Sequence, residues 1–305
     1  MSFVAGFGLT NIDLLYAGIP YLPQEGEEVY GTDFSLQLGG GFPATLVNLG
    51  RLQVPSKICT LLGDDLFSAF AKQAFEQSGA APCNVYSGSG MPLNVTTAVL
   101  TPHDRTFISY NGGFCITQAM KETFYQMAHG AKIAYIHPDF FDVCQKLKAE
   151  GTQLIFDMGW EDDLSLQKYA HILELADYYT PNSKEAMKMT ETSSPEDALH
   201  VLSKWFRYPI VKVDKDGCLV LSDGKMKRIR SMPDIVQVDA TGAGDAFLSG
   251  FTYGLFHERP IEDCVLFGNI TGGTCVTGIG CLSAYVNEEQ LLSLFEKLYP
   301  LCISA

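Results

Sequence analysis

Positive charge is scarce in this sequence. Against 35 aspartates and glutamates stand 21 lysines and arginines, a formal net charge of −14 over 305 residues. Such a balance does not suit a surface that neutralises phosphate backbones or anionic lipid, so neither a nucleic acid nor a membrane is an expected partner. A small anionic ligand stays open, because a local nest of amides can hold one within an acidic protein. No apolar run approaches the ~18 residues of a membrane span. The opening MSFVAGFGL has no basic region and only a short apolar run, so no signal peptide is expected. Paired cysteines are lacking as well: none of the nine falls in a C-x-x-C spacing, and they are scattered through apolar runs such as KICTLLG and GTCVTGIGC. That pattern suits buried thiols in a reducing cytoplasm better than a disulfide framework or a zinc site. Linkers and repeats are also missing. With 47% apolar and 18% charged residues, the chain reads as one soluble, cytoplasmic α/β domain over residues 1–305.

What is present is alternation. Short β-rich runs at 2–6, 56–63, 132–137, 153–158, 176–180 and 209–213 look like buried strands. Between them, residues 65–79, 139–151 and 195–207 carry apolar side chains at helical spacing. This order predicts a mostly parallel sheet with helices on both faces, a three-layer αβα sandwich. Two segments break the rhythm, EEVYGTDFSLQLGG (27–40) and LNVTTAVLTPHDRTFISYNGG (93–113). Their period-two runs predict a small antiparallel sheet, a lid over a cleft, with lid segments around 14–38 and 93–113.

In open α/β sheets, ligands sit at the carboxyl ends of strands. IVQVDATGAGDAFLSGFTYGLF reads as such a junction: strand, Gly-rich turn, apolar helix. Gly242 and Gly244 remove side chains, so backbone N–H groups can approach an anion, and the helix adds the positive end of its dipole. Asp245 is a poor phosphate ligand because like charges repel. Beside a phosphate it makes sense as the base that orients and deprotonates an attacking hydroxyl. The plain alternative is that Asp245 caps the helix and the glycines tighten a turn.

Read with the rest of the chain, DATGAGD resembles the C-terminal signature D-T-x-G-A-G-D of the ribokinase-like (PfkB) carbohydrate kinases, departing only at Ala240. The resemblance implies Asp245 as catalytic base and the amides of Gly242, Ala243 and Gly244 as anion hole. GFGLTNIDLL is similar to the family's opening strand and places its substrate-binding Asp on Asp13. LPQEGEEVYGTDFSLQLGG matches the lid and the paired glycines of the sugar site, Gly39 and Gly40. DRTFISYNGG, with Arg105, matches the second lid strand on the substrate side. TPNSKEA carries N-x-x-E on Asn182 and Glu185, expected near the phosphates and Mg²⁺. VKVDKDG resembles the nucleotide-side loop, with Lys212 and Asp214 as departures and Gly217 retained. FGNITGGTCVTGIGC places Asn269 and Gly280 near the nucleotide. Asp239 and the backbone near Thr241 are implied as a monovalent-cation (K⁺) site.

The residues alone leave blander roles open: Asp13 as a cap, Gly39–Gly41 as a flexible turn, Asn182 and Glu185 as a capping box, Lys212 as a solvated strand end. Two departures bear on substrate. Where the family has an Asn after the paired glycines, this chain has Ala44 and Thr45. Where its sugar-acid and fructose members carry f-D-x-N-x-R, it has IFDMGWEDD, so a neutral acceptor is expected. Trp160 offers a ring for stacking or for the core. The expected activity is transfer of a phosphoryl group from ATP, with Mg²⁺, to a hydroxymethyl group of a small sugar. A nucleoside kinase and a non-catalytic sugar sensor on the same fold remain alternatives, and homodimerisation through the lid is a further expectation. VAGFGLTN also begins like a dinucleotide-binding G-x-G-x-x-G, with Asn11 in place of the third glycine.

Overall fold

The computed structural model describes residues 2–303, so residues 1, 304 and 305 of the expected span lie outside it. Its strands are β1 (Val4–Phe7), β2 (Asn11–Ala17), β3 (Asp33–Leu38), β4 (Ser56–Thr60), β5 (Ala81–Asn84), β6 (Asn94–Leu100), β7 (Arg105–Tyr110), β8 (Ile133–Ile136), β9 (Gln153–Phe156), β10 (Tyr178–Tyr179), β11 (Ile210–Lys212), β12 (Cys218–Ser222) and β13 (Lys225–Ile229). The helices are α1 (Phe42–Arg51), α2 (Leu66–Ser78), α3 (Gln118–Ala128), α4 (Phe141–Ala149), α5 (Leu166–Leu175), α6 (Ser183–Thr190), α7 (Pro195–Leu202), α8 (Ala243–Phe256), α9 (Ile261–Cys275) and α10 (Glu288–Cys302).

The six strands β10-β9-β8-β1-β4-β5 form one sheet, parallel throughout. Its strands are apolar on both faces because both faces are covered. Val4, Ile58, Tyr135 and Ile155 pack on the side of α1, α2, α8, α9 and α10, with Phe251, Phe267 and Phe295. Their chain neighbours Ala5, Cys59, Ala134 and Phe156 point the other way, onto α3 to α7, with Phe124, Leu147 and Leu173. These are the three layers the alternation predicts.

The lid is a four-stranded sheet, β3-β2-β6-β7. Its outer pairs are antiparallel, as expected, while the central pair β2–β6 runs parallel. Residues 18–32 are loop, so the first lid segment contributes its first four residues to the end of β2 and its last six as β3. The strand expected at 209–213 lies in a third sheet, β11-β12-β13, antiparallel and joined to the central one by an Asn182–Lys212 bridge. No strand precedes the Gly-rich turn: Val236 and Val238 are exposed, so the two valines are not packed as a buried strand would pack them. The dinucleotide reading fails on topology, since Gly6-Phe7-Gly8 leads into strand β2 and not into a helix.

Candidate active site

The cleft lies between the carboxyl ends of the central strands and the lid. At its centre is the start of α8. Gly242 is the N-cap, in the left-handed conformation at φ 76°, and no side chain caps the helix. A Cβ there would sit 2.1 Å from the Cβ of Cys281, so only glycine fits. The Ala243 N–H is turned back onto the Ala240 carbonyl at 3.3 Å. The next two amides, Gly244 and Asp245, belong to a first turn, where no intrahelical acceptor exists. Lys212 Nζ stands beside them, 3.5 Å from the position a Gly244 Cβ would take.

Asp245 is seated by the glycine run at 39–41. The Gly41 N–H donates to its Oδ2 at 2.8 Å, and a Cβ on Gly40 would lie 2.8 Å from the same oxygen. Thr45 is fully buried and donates its hydroxyl to the Asp245 carbonyl at 3.2 Å, so its side chain locks α1 to α8 and does not face an acceptor. Desolvation raises the Asp245 carboxyl above its ordinary pKa, opposed by the Gly41 N–H and the Lys212 charge.

Asp13, on lid strand β2, is buried across the cleft. Asn11 Nδ2 donates to its Oδ1 at 2.5 Å, and Thr96 in turn donates to Asn11 Oδ1. A Cβ on Gly39 would stand 2.3 Å from Asn11 Nδ2 and 2.7 Å from Asp13 Oδ1. Burial pushes the Asp13 carboxyl up to about 6; the Asn11 bond opposes this, and the charges of Asp239 and Asp245 add to it. Gly39 and Gly40 thus leave the room that the Asp13 and Asp245 carboxylates occupy.

Behind the α8 amides, Asp157 follows β9 and lies 3.8 Å from Lys212 Nζ. Desolvation lifts its carboxyl to about 7, with Lys212 opposing and Glu185 and Asp245 reinforcing. Asn182 and Glu185 do form a capping box on α6: each side chain accepts from the other's backbone N–H, at 3.0 and 2.9 Å. Asp239 is buried ahead of the Gly-rich turn. Its Oδ2 accepts from the Gly280 N–H at 2.9 Å, and its Oδ1 from the Thr241 N–H (3.0 Å), the Thr241 hydroxyl (2.8 Å) and the guanidinium of Arg105.

Residues 1–287 match the pfkB family of carbohydrate kinases. The chain belongs to that family. As a member it is a phosphotransferase acting on a sugar hydroxyl. Among curated relatives, it is 23% identical to a ribokinase of Haemophilus influenzae over 303 residues, covering 95% of this chain and 97% of that one. It is 24% identical over 291 residues to a 5-dehydro-2-deoxygluconokinase of Clostridium perfringens, covering 87% and 86%. The structure of Arabidopsis thaliana ribokinase complexed with ribose and ATP shares the fold at a TM-score of 0.78 and 20% identity, over 97% of this chain and 99% of that one.

Several expected site residues of this pfkB kinase have their side chains committed elsewhere. Asn269 is buried, donates to the carbonyls of Ile229 and Arg230 at 3.0 Å each, and accepts from Cys218 Sγ. Gly217, at φ 91°, is required by the fold, since a Cβ would meet the Ile229 carbonyl at 2.1 Å. Gly280 serves Asp239. Trp160 is exposed on the loop after β9 and bonds Asp162, so it is not a core residue. Arg105, expected on the substrate side, is bonded to Asp239 and Thr241. The sequence reading passed over Gly41, whose amide holds Asp245, and Asn11 and Asp157. The first is part of GGG, but nothing local shows which amide of a glycine run meets a carboxylate 204 residues away.

Proposed function

We propose that this kinase transfers the γ-phosphoryl group of ATP to a hydroxymethyl group of a small neutral sugar, with Asp245 as general base. The seating of Asp245 carries the reading. It is held by the Gly41 N–H at 2.8 Å, with open amides and Lys212 on one side and Asp13 on the other. A helix cap would need no such support.

ATP and Mg²⁺ would sit behind α8: Lys212 Nζ, 3.8 Å from Asp157, would turn to phosphate, and Asp157 with the free oxygen of Glu185 would hold a metal ion that keeps most of its waters. When bound, the pair supplies the phosphoryl group and neutralises its charge. The amides of Gly242, Gly244 and Asp245, at the positive end of the α8 dipole, would stabilise the anion. Asp245 would position the acceptor hydroxyl and take its proton late, since a carboxylate is far weaker as a base than an alkoxide. Asp13, fixed by Asn11 and Thr96, would accept from acceptor hydroxyls. The charges of Asp239 and Asp245 both raise the Asp13 carboxyl, so negative charge is already gathered around Asp13, which disfavours an anionic acceptor.

An ADP-release screen over neutral sugars, polyols and nucleosides tests this. Turnover of a neutral sugar, lost in Asp245→Asn, is the expected result. Turnover of nucleosides alone, or sugar binding without ADP release, would replace it by the nucleoside-kinase or sensor alternative. The lid exposes Tyr16, Phe34, Ile108 and Tyr110, which the strand register places on one face. We propose that a second copy covers this apolar patch, which sedimentation of the purified protein would report as a dimer.

A further inference from the structure

The Asp239 pocket does not fit the monovalent cation that the family resemblance implies there. A metal ion needs free oxygen lone pairs, and Asp239 Oδ1 already accepts from the Thr241 N–H, the Thr241 hydroxyl and Arg105, while Oδ2 accepts from the Gly280 N–H. The Arg105 Nη1 also donates to Thr241 Oγ1 at 2.7 Å. A guanidinium therefore stands against this carboxylate, where it would repel a second cation. Asp239 is buried, and its carboxyl lies below the ordinary range: desolvation would raise it, but the bonds from Gly280 and Thr241 and the Arg105 charge prevail.

Arg105 does not come from the loops around the pocket. It opens lid strand β7, 134 residues from Asp239, and pairs across the lid with Leu100. Thr241, which it also grips, directly precedes Gly242, the N-cap that sets the direction of the α8 amides. A lid residue thus holds the head of the anion loop.

We propose that Arg105 is the resident cation of the Asp239 pocket, delivered by the lid, so that the protein needs no monovalent metal ion and lid seating and ordering of the 241–244 turn are one event. Arg105 is then a positioning residue: it touches neither acceptor nor phosphate and acts through Asp239 and Thr241. A metal ion would exchange with solvent independently of the lid, whereas a tethered guanidinium leaves only when β7 leaves.

The catalytic half of this inference rests on the kinase reading above; the cation-binding half does not, and the experiment separates them. Wild type, Arg105→Ala, Arg105→Gln and Arg105→Lys are compared in potassium chloride and in tetramethylammonium chloride at equal ionic strength, by thermal melting and by ADP release. Wild type and Arg105→Lys should give the same Tm and turnover in both salts. Arg105→Ala and Arg105→Gln, with a buried carboxylate left short of positive charge, should lose turnover about tenfold in tetramethylammonium. Both should recover part of it in potassium, with a Tm raised only in that salt. A wild-type protein whose Tm or turnover rises specifically with potassium would overturn the proposal, as would neutral variants no more responsive to potassium than wild type. If no acceptor is phosphorylated, the melting comparison still decides the cation question.

Discussion

The Gly41 N–H and the Asp245 carboxylate meet at 2.8 Å, joining the first turn of α1 to the first turn of α8. The same glycine run leaves room for the carboxylate, since a side chain on Gly40 would crowd it. Position, more than basicity, is what a carboxylate contributes to deprotonating an alcohol.

Asp245→Asn keeps the shape and the Gly41 bond but removes the proposed base. Turnover should fall by about 10²–10⁴-fold, with acceptor affinity changed only a few-fold. Steady-state kinetics together with calorimetric acceptor binding check both parts, and retained turnover would end the base assignment.

Gly40→Ala separates placement from folding. The added methyl would press on the free end of the Asp245 side chain and on no backbone atom. The carboxylate can swing away at little cost, so Tm should stay within a few degrees while turnover drops about 10–100-fold. A large loss of Tm would show that the steric contact had been misjudged.

Lys212→Met should weaken the nucleotide side, raising the KM for ATP more than the KM for the acceptor. It also removes a charge that lowers the carboxyls of Asp157 and Asp245. Their pKa values should rise, moving the acidic limb of the kcat–pH profile to higher pH. A limb unmoved by the substitution would count against the charge coupling.

The raised carboxyls of Asp13, at about 6, and Asp157, at about 7, have a stability consequence. A folded-state pKa above the unfolded one means that the native state binds protons more readily. The associated stability is fully present below about pH 4, the unfolded value, and is lost as pH rises through 6 and 7. Denaturant melts should therefore show these two groups destabilising the free protein at pH 8 relative to pH 5. Asp13→Asn should flatten the slope between about pH 4 and 6 and raise stability at pH 8, even as acceptor binding weakens.

Much of this was legible in the residues. The strands β1, β4, β8 and β9 read correctly because burial on both faces leaves continuous apolar runs, which few other local structures produce. IVQVD also carries strand-forming valines, but Val236 and Val238 lie exposed, since strand formation is decided by what packs against the residues. The alternation of the lid strands was visible, whereas the parallel β2–β6 register was not: it joins segments about 80 residues apart, and alternation carries no direction. Asn182 and Glu185 occupy the motif positions, and what they make in the structure is the plain capping box. Local spacing could not distinguish those roles, because both use the same atoms. The Arg105–Asp239 pair is set by tertiary placement, so no window of sequence contains it.

The bonds around Asp245 share one property: their partners come from opposite ends of the chain. Gly41 and Thr45 reach α8 across 204 and 200 residues, Gln37 reaches Ile279 across 242, and Cys281 reaches Leu38 across 243. During synthesis the glycine run emerges long before the acid it must hold. A partly made chain therefore has no seated carboxylate, however well its first helices have formed, and contacts of this span close late and slowly. If Asp245 is the base, catalytic competence becomes a report on completion of the chain.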